Sequence, residues 1–383
     1  GKGPGVDRSG DALKHANFAG TSPHGGVLAV FGDDHPGKSS TVAHQSEYAF
    51  ASFCIPVLYP ASVQEYLDYA ALGWAASRYS GLWMSFKCVN ETVESTSTVD
   101  IDPDRVKLVL PERDDGNFHL KLRYAPAEDD MIVQRIKLPR MQAFAAANGF
   151  DRVAVGDSSA RFGIVTAGKA YLDVMQALDA LGIDDERARH LGIAVYKIGL
   201  SWPIDGHGLR HFASGKRELI FVEEKRPFIE EQAAGALYHL PDGKRPQLSG
   251  KRAPSGETLL PSDVQLDAHA VASAIVARLR AAGVGDDALW ARAGAYASHG
   301  DEAASTTGAE MARTPFFCSG CPHNSSTKLP AGSMAASGIG CHGMAAFSDP
   351  NTITSSQMGA EGATWIGISR FTDMPHMFQN LGD

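Results

Sequence analysis

The sequence is poor in cysteine, in positive charge and in long apolar runs. Five cysteines among 383 residues are too few for a disulfide framework, which favours a reducing, cytoplasmic environment. The net charge of −9, with no basic run, argues against a nucleic-acid-binding protein. No uninterrupted apolar stretch has the length of a membrane span, and the first residues lack an initiator methionine and a signal-peptide apolar segment. We therefore expect no membrane or nucleic-acid partner, and we expect both ends to be cuts through a longer protein.

Short apolar runs alternate with helical periodicity in two stretches, residues 26–89 and 162–240. Such alternation is typical of α/β domains with doubly wound, parallel sheets. With 44% hydrophobic residues, the chain is long enough to form two or three cores. The sequence therefore predicts an α/β, multidomain protein with a linker region at residues 106–158.

Four other segments have weaker or more local signals. Residues 118–124 alternate as a lone strand would, and residues 267–282 have the periodicity of an amphipathic helix. Residues 240–261, rich in Pro, Gly and Lys, are predicted to form an exposed excursion. Residues 298–312 are predicted to have little order.

Three of the five cysteines lie close together near the C-terminus. Cys318 and Cys321 form a C-x₂-C pair, and Cys341 follows about twenty residues later. One interpretation is a structural zinc site with His323 or His342 as the fourth ligand. The other is an iron–sulfur cluster whose fourth cysteine lies beyond residue 383. Both predict a metal centre in this segment.

A polar loop follows the first predicted strand. Asp34, His35, Ser40 and His44 lie in this loop, and open α/β sheets bind ligands at such carboxyl ends. The alternative is a solvated loop that caps the next helix. Cys54 and Cys88 lie in or beside apolar strands and are predicted to be core residues.

Several long motifs, in one order along the chain, resemble indolepyruvate ferredoxin oxidoreductases, and most of all their large fused bacterial form. The resemblance covers essentially the whole chain and includes the polar loop and the cysteine segment. The segments that carry it are residues 24–35, 38–41, 44–47, 88–95, 222–232, 317–327, 338–341 and 357–362.

The resemblance implies a thiamine-diphosphate-enzyme architecture and an oxidative decarboxylation of arylpyruvates such as indolepyruvate. The implied cofactors are thiamine diphosphate, Mg²⁺ and a 4Fe-4S cluster. CoA would be the co-substrate, ferredoxin the electron acceptor, and a homodimer the expected assembly. The implied domains are the rear part of a pyrimidine-binding domain (1–105), the linker region (106–158), a transketolase C-terminal-like domain (159–262), a helical connection (263–312) and the start of a diphosphate-binding domain (313–383).

The resemblance also implies roles for individual residues. Asp34, His35, Ser40 and His44 would form a loop on the substrate side. The other implied roles are cluster ligation by Cys318, Cys321 and Cys341, cofactor binding by Gly340, Cys341, His342, Gly382 and Asp383, and Mg²⁺ ligation by Asp383.

Some parts of the family's machinery are expected outside this segment. The activating glutamate would lie upstream of Gly1, and the second Mg²⁺ ligand and the fourth cysteine would lie beyond Asp383. The segment alone is therefore expected to be inactive. Two alternatives stay open: a related oxidoreductase with an aliphatic 2-oxoacid substrate, and a non-catalytic module stabilised by zinc or a cluster.

Overall fold

A computed structural model describes the chain except residues 41, 113–115, 117, 122, 124, 307–315, 355–356 and 382–383, and it describes no side chains at 299–306. The chain divides into two compact units, Gly1–Gly300 and Asp301–Asp383. No helix among the described residues is long and apolar enough to cross a membrane.

The first sheet of the first unit has the strand order β1-β3-β2-β7, with β7 antiparallel to β2 and the other pairs parallel. Phe86 faces a cluster on one side that includes Tyr69, and Phe31 faces a cluster on the other side that includes Val6. Helices therefore cover both faces. The strands and helices of this part are β1 (Leu28–Asp33), β2 (Val57–Leu58), β3 (Met84–Val89), β7 (Leu200–Trp202), α1 (Gly3–Ala19), α2 (Glu47–Ser52), α3 (Val63–Ser80), α4 (Asn90–Val93), α5 (Pro126–Ile132) and α6 (Leu138–Ala147), with a π-helical turn at Val133–Lys137.

The second sheet has the order β4-β6-β5-β8-β9, and only β4 is antiparallel to its neighbour. Ile164 and Ile220 point into one apolar cluster, whereas Val165 and Phe221 point into another. This alternation buries both faces, so the predicted doubly wound, parallel α/β fold is confirmed. The elements are β4 (Arg152–Val155), β5 (Phe162–Ala167), β6 (Ile193–Ile198), β8 (Glu218–Val222), β9 (Gln247–Ser249), α7 (Gly168–Ala180), α8 (Asp185–Leu191), α9 (Gly206–Ala213), α10 (Phe228–Leu237), α11 (Ala268–Ala282) and α12 (Asp287–Thr306).

The two sheets of this unit are joined directly. The chain passes from β6 through Gly199 into β7, which pairs with the first sheet. Between the sheets, Glu65 accepts hydrogen bonds from Lys197 Nζ at 2.7 Å and from Arg152 at 2.9 Å. Helix α6, from the segment predicted as a linker region, packs on α3. These contacts explain why residues 1–300 form one compact unit.

Side-chain caps mark the starts of two long helices. Ser62 caps α3 by accepting the N–H of Glu65 at 3.2 Å, and Asp267 caps α11 by accepting the N–H of Ala270 at 2.8 Å. The prediction of an exposed excursion at 240–261 was wrong in part. Residues 247–249 form β9. Lys251 is buried, and its Nζ donates a hydrogen bond to the Glu223 carbonyl oxygen.

Two other segment predictions fall partly outside the described residues. Residues 118–121 are not in a strand, while 122 and 124 lie outside the described part. Residues 298–306, predicted to have little order, continue α12, and 307–312 lie outside the described part.

The second unit contains a small parallel sheet of order β11-β10-β12. The cysteine segment precedes this sheet in the chain, and Cys341 follows its first strand. The elements are β10 (Ala335–Ala336), β11 (Thr352–Ile353), β12 (Phe378–Gln379), α13 (His323–Ser326), α14 (Ala345–Ser348) and α15 (Ala363–Ile368), with 3₁₀ turns at Gly340–Met344 and Ser369–Phe371.

A close approach at Gly168 offers a test of the packing between the two sheets. Gly168 has φ +51°, and a Cβ there would lie 2.2 Å from the Tyr59 ring. Gly168→Ala is therefore expected to lower the free energy of unfolding by about 2–4 kcal/mol, through overlap and backbone strain. Denaturant unfolding measures this change. Gly235→Ala is the control, since a Cβ at that α10 position meets nothing within 4 Å; equal effects would contradict the packing described.

Candidate functional site

The carboxyl ends of strands from both sheets meet at one place in the first unit. Strand β1 ends at Asp33, Tyr59 follows β2, and Gly168 follows β5. Tyr59 packs against Gly168 and donates its backbone N–H to Gly199 at 2.9 Å. Carboxyl ends of parallel strands are the usual ligand-binding edge of α/β sheets. This edge is the candidate functional site.

A buried lysine lies at the centre of this edge. Lys87, on β3, is 1% exposed, and its Nζ contacts a Glu47 carboxylate oxygen and lies 3.7 Å from Asp33 Oδ2. The same Nζ lies 4.6 Å from the centroid of the Tyr59 ring. Ser46 donates its N–H to Asp33 at 2.8 Å and its hydroxyl at 2.6 Å. We call these five residues the Lys87 cluster.

The two carboxyl groups of the Lys87 cluster are not equivalent. Burial opposes ionisation of Asp33, but Lys87 and the two hydrogen bonds from Ser46 outweigh it and hold its pKa below the usual range. Burial raises the pKa of Glu47, and the charge of Asp33 adds to this effect. Glu47 Oε2 has no hydrogen-bond partner among the described residues. The cluster therefore combines a carboxyl group whose pKa is lowered with one whose pKa is raised even though Lys87 opposes the rise.

His35 is held as a neutral ring with one nitrogen unused. Its Nδ1 lies 2.9 Å from the His44 carbonyl oxygen, which can only accept, so Nδ1 carries the proton. Burial and the charge of Lys87 lower the pKa of His35 to about 3. Nε2 is then a buried lone pair, and it has no partner among the described residues. His35 can thus accept a hydrogen bond from a ligand.

This arrangement gives a pH-dependent stability. Between about pH 6.5, the ordinary His value, and about pH 3, the unfolded chain binds a proton at His35 that the folded chain does not. Stability is therefore expected to fall on acidification from about pH 7.5 to about pH 5, and His35→Gln should lessen the fall by about 2 kcal/mol. Denaturant unfolding at both pH values measures this. His24→Gln, at an exposed position, is the control and should leave the fall unchanged.

The other predicted loop residues have different environments. Asp34 accepts the N–H groups of Lys38 at 3.1 Å and Ser39 at 2.8 Å, so its carboxylate shapes the loop. Partial burial opposes ionisation of Asp34, but hydrogen bonds from Ser39, Ser40 and Lys38 hold its pKa below the usual range. His44 is buried, and its Nδ1 has no partner among the described residues. The structure thus places His35 in contact with His44, whereas the Asp34 carboxylate stabilises the conformation of the loop.

Sequence reasoning missed Lys87 as a site residue. The sequence signal was a lysine within the largely apolar strand β3, because a buried lysine needs a buried partner for its charge. Glu223 and Glu224, which follow β8 at the same edge, are bonded to other parts of the protein. Glu223 accepts the N–H of Ile229 at 2.8 Å, and Glu224 Oε1 lies 3.2 Å from Lys169 Nζ.

The cysteine segment of the second unit forms a tight turn. Cys321 donates its N–H to the Cys318 carbonyl at 3.0 Å, and its Sγ lies 3.0 Å from His323 Nδ1. The His323 ring lies 4.4 Å, between centroids, from that of His342, the neighbour of Cys341. The two halves of the predicted metal centre are therefore adjacent.

The donor types fit an iron–sulfur cluster, since two thiols lie on one turn and the third is on the adjacent segment. Cys318 and Cys341 are exposed, and Cys321 is half-buried. However, among the described residues no three His, Cys, Asp or Glu side chains form a group that could hold one metal ion. The three cysteines therefore lie on adjacent segments, but their side chains do not form a metal-binding group in this structure. Gly382 and Asp383, predicted for cofactor and Mg²⁺ binding, lie outside the described residues.

Comparison with known proteins links the chain to one group of enzymes. Residues 152–300 match the family model of the indolepyruvate oxidoreductase domain. The indolepyruvate oxidoreductase subunit IorA of Pyrococcus horikoshii is 27% identical over 236 residues, which are 60% of this chain and 34% of that protein. The subunit IorA of Thermococcus kodakarensis is 23% identical over 387 residues, covering 94% of this chain and 55% of that protein. The chain thus spans about a third to about half of the length of these relatives.

Two solved structures are also similar. One is a 2-oxoglutarate:ferredoxin oxidoreductase from Magnetococcus marinus, with a TM-score of 0.46, 14% identity and coverage of 73% of this chain and 52% of that chain. The other is a split-gene transketolase, with a TM-score of 0.37, 16% identity and 66% coverage of each chain. The sequence matches, including that of residues 152–300 to the indolepyruvate oxidoreductase domain, confirm the resemblance to the indolepyruvate oxidoreductases.

Proposed function

We propose that the protein is a 2-oxoacid:ferredoxin oxidoreductase that decarboxylates arylpyruvates, with indolepyruvate as the preferred substrate. The observation that carries this proposal is the indolepyruvate oxidoreductase domain at residues 152–300. The reaction would convert the 2-oxoacid and CoA into CO₂ and an acyl-CoA, while two electrons pass to ferredoxin. The large fused bacterial form, the homodimer, the cytoplasmic location and the five-part division into domains stay part of this proposal.

The Lys87 cluster supports a ligand site at the carboxyl edge. Thiamine diphosphate supplies the carbanion chemistry in such a reaction when it is bound. The part of this chain would be to place hydrogen-bonding groups next to it and to exclude water. His35 Nε2 is a buried acceptor, and Glu47 is a carboxyl group with a raised pKa and an unpartnered oxygen. Together these groups would accept and donate hydrogen bonds to the cofactor or the 2-oxoacid.

The cysteine segment would hold the electron acceptor. We assign Cys318, Cys321 and Cys341 as ligands of a 4Fe-4S cluster, with Gly340, Cys341 and His342 beside the thiamine and Asp383 as an Mg²⁺ ligand. The turn from Cys318 to Cys321 and the contact between the His323 and His342 rings support a shared site. Thiolates on adjacent short segments are the usual cluster ligands.

One observation favours a second function, a zinc-stabilised module without catalysis. Cys321 Sγ and His323 Nδ1 lie 3.0 Å apart, and cysteine with histidine is a common zinc ligand set. In that case the purified protein would be colourless and would contain zinc rather than iron and sulfide.

Carboxyl-labelled indolepyruvate tests the proposed function. The full-length protein, purified without oxygen, is expected to release labelled CO₂ only with thiamine diphosphate, Mg²⁺ and an electron acceptor present. Carboxyl-labelled pyruvate and 2-oxoglutarate are the matched controls. Faster CO₂ release from either control would mean that the preferred substrate is an aliphatic 2-oxoacid. If none of the three acids released CO₂, the enzymatic function would be overturned.

A further inference from the structure

A separate cavity lies in the first unit and shares no residue with the Lys87 cluster. Its volume is about 290 Å³, and it lies between the end of α6, the start of β4 and helix α9. This volume has room for roughly ten water-sized groups. Its polar lining includes Asp151, Asp205 and Tyr196, and its apolar lining includes Ala145 and Phe212.

Two carboxylates line this cavity, and each has an oxygen left over. Asp151 Oδ1 accepts the N–H groups of Gly199 at 2.8 Å and Leu200 at 3.2 Å, while its Oδ2 is buried without a partner among the described residues. Asp205 caps α9, because its Oδ1 accepts the N–H of His207 at 2.9 Å. The second oxygen of each carboxylate therefore has no hydrogen-bond partner among the described residues.

Tyr196 adds a third polar group. It is 5% exposed, lines the cavity, and its hydroxyl makes no hydrogen bond with any described residue. Its ring stacks on Phe212 with the centroids 4.8 Å apart. Burial and the charges of Asp151 and Asp205 raise the pKa of Tyr196, so the hydroxyl stays neutral. Buried tyrosine hydroxyls normally find a partner, and this one faces open volume.

The room beside these oxygens depends on a glycine. A Cβ on Gly208 would lie 2.6 Å from both Asp205 Oδ2 and the Tyr196 hydroxyl. Any side chain there would therefore occupy the space in front of both oxygens. The absence of a side chain at Gly208 keeps this end of the cavity open.

Among the described residues, the two aspartates of the cavity make no ion pair with the cations around them. Lys197 and Arg152 are the nearby cations of the sheet, and both are paired with Glu65, at 2.7 Å and 2.9 Å. Within the described part of the chain, no lysine or arginine forms an ion pair with Asp151 or Asp205. Lys216 Nζ, 4.3 Å from the centroid of the Phe212 ring, is a further cation near the lining, so the unpaired carboxylate oxygens, rather than a net negative charge, favour a cation.

We propose that this cavity binds a small primary ammonium ion that carries a short apolar chain. The three N–H donors of the ammonium group match Asp151 Oδ2, Asp205 Oδ2 and the Tyr196 hydroxyl. The apolar chain would pack on Ala145 and on the stacked Tyr196 and Phe212 rings. The proposal concerns a separate site and does not depend on the proposed function.

The affinity should depend on pH through Asp151. Burial, with the charge of Asp205, raises the pKa of Asp151 to about 7, although the hydrogen bonds from Gly199 and Leu200 and the charge of Lys197 oppose this effect. The other groups facing the cavity are Tyr196, which stays neutral, Arg152, which is paired with Glu65, and His211. Since the ammonium ion needs an ionised Asp151, the affinity is expected to rise roughly tenfold from about pH 6 to about pH 8.

Calorimetric titration of the full-length protein with n-butylammonium chloride tests the proposal. We expect saturable binding, at least about tenfold weaker in Asp151→Asn and Gly208→Ala and weaker in Tyr196→Phe. Asp242→Asn removes the same charge at an exposed position and should leave the affinity unchanged. Tyr196→Phe and Asp151→Asn keep the shape of the cavity, so they serve if Gly208→Ala fails to fold.

Three results would overturn the proposal. The first is no saturable heat from n-butylammonium, which would leave the cavity to ordered water. The second is equal binding of n-butanol, which has the same chain without the charge. The third is binding that none of Asp151→Asn, Tyr196→Phe and Gly208→Ala weakens.

Discussion

Replacing Lys87 with methionine is expected to lower the free energy of unfolding by about 3–5 kcal/mol. Methionine keeps most of the volume but removes the charge that lies 3.7 Å from Asp33 and contacts Glu47. Asp33 would then be an ionised carboxylate with only Ser46 as a partner, in a place that water does not reach. Breaking a buried ion pair by removing one partner leaves an uncompensated charge, which is why the effect is large. Denaturant unfolding of both proteins measures the change.

Two further variants make this result specific. Lys244→Met, at an exposed position, should change the free energy of unfolding by less than about 0.5 kcal/mol. Adding Asp33→Asn to Lys87→Met should recover about 1–2 kcal/mol, because it removes the stranded charge. A loss below about 1 kcal/mol in Lys87→Met would mean that the lysine does not compensate the buried carboxylates.

Cys321→Ser is expected to abolish both the iron–sulfur cluster and the transfer of electrons to ferredoxin. Cys321 lies on the turn with Cys318, and beside His323, so it is central to the proposed ligand set. A serine hydroxyl at that place is a poor substitute for a thiolate ligand. Iron and acid-labile sulfide per chain, with the visible absorbance of the anaerobic protein, measure the loss, and it should exceed about tenfold.

Cys54→Ser is the matched control, since Cys54 is a buried cysteine packed in the first unit. It should keep the iron content while lowering stability modestly. Zinc in place of iron in the unaltered protein would contradict the cluster and favour the zinc-stabilised module. Full iron content in Cys321→Ser would remove this cysteine from the ligand set.

The fold was predictable where the signals are local. The strands Phe162–Ala167 and Glu218–Val222 lie in the predicted α/β stretch and are buried on both faces, and residues 267–282 form the predicted amphipathic helix. Strand β9 was missed because its place comes from pairing with β8, which a short polar segment does not reveal. Likewise, the chain leaves the second sheet after β6 and enters β7, which pairs with β2 of the first sheet. Only long-range packing decides this pairing.

The candidate site was predictable in its position and less so in its members. The polar loop after β1 does lie at the carboxyl edge. There, His35 Nε2 and His44 Nδ1 are buried without a hydrogen-bond partner among the described residues. Lys87 and Tyr59 come from other strands, and their convergence depends on strand order rather than on sequence spacing. The roles of Gly382 and Asp383 stay predictions.

Reduction of ferredoxin or a viologen dye by the full-length protein is the decisive test of the proposed activity. The assay would be anaerobic, with thiamine diphosphate, Mg²⁺ and CoA, and with indolepyruvate, pyruvate and 2-oxoglutarate in separate reactions. We expect reduction that depends on the 2-oxoacid and is fastest with indolepyruvate. The absence of reduction with all three acids, from brown protein that retains its cofactors, would contradict the proposed activity.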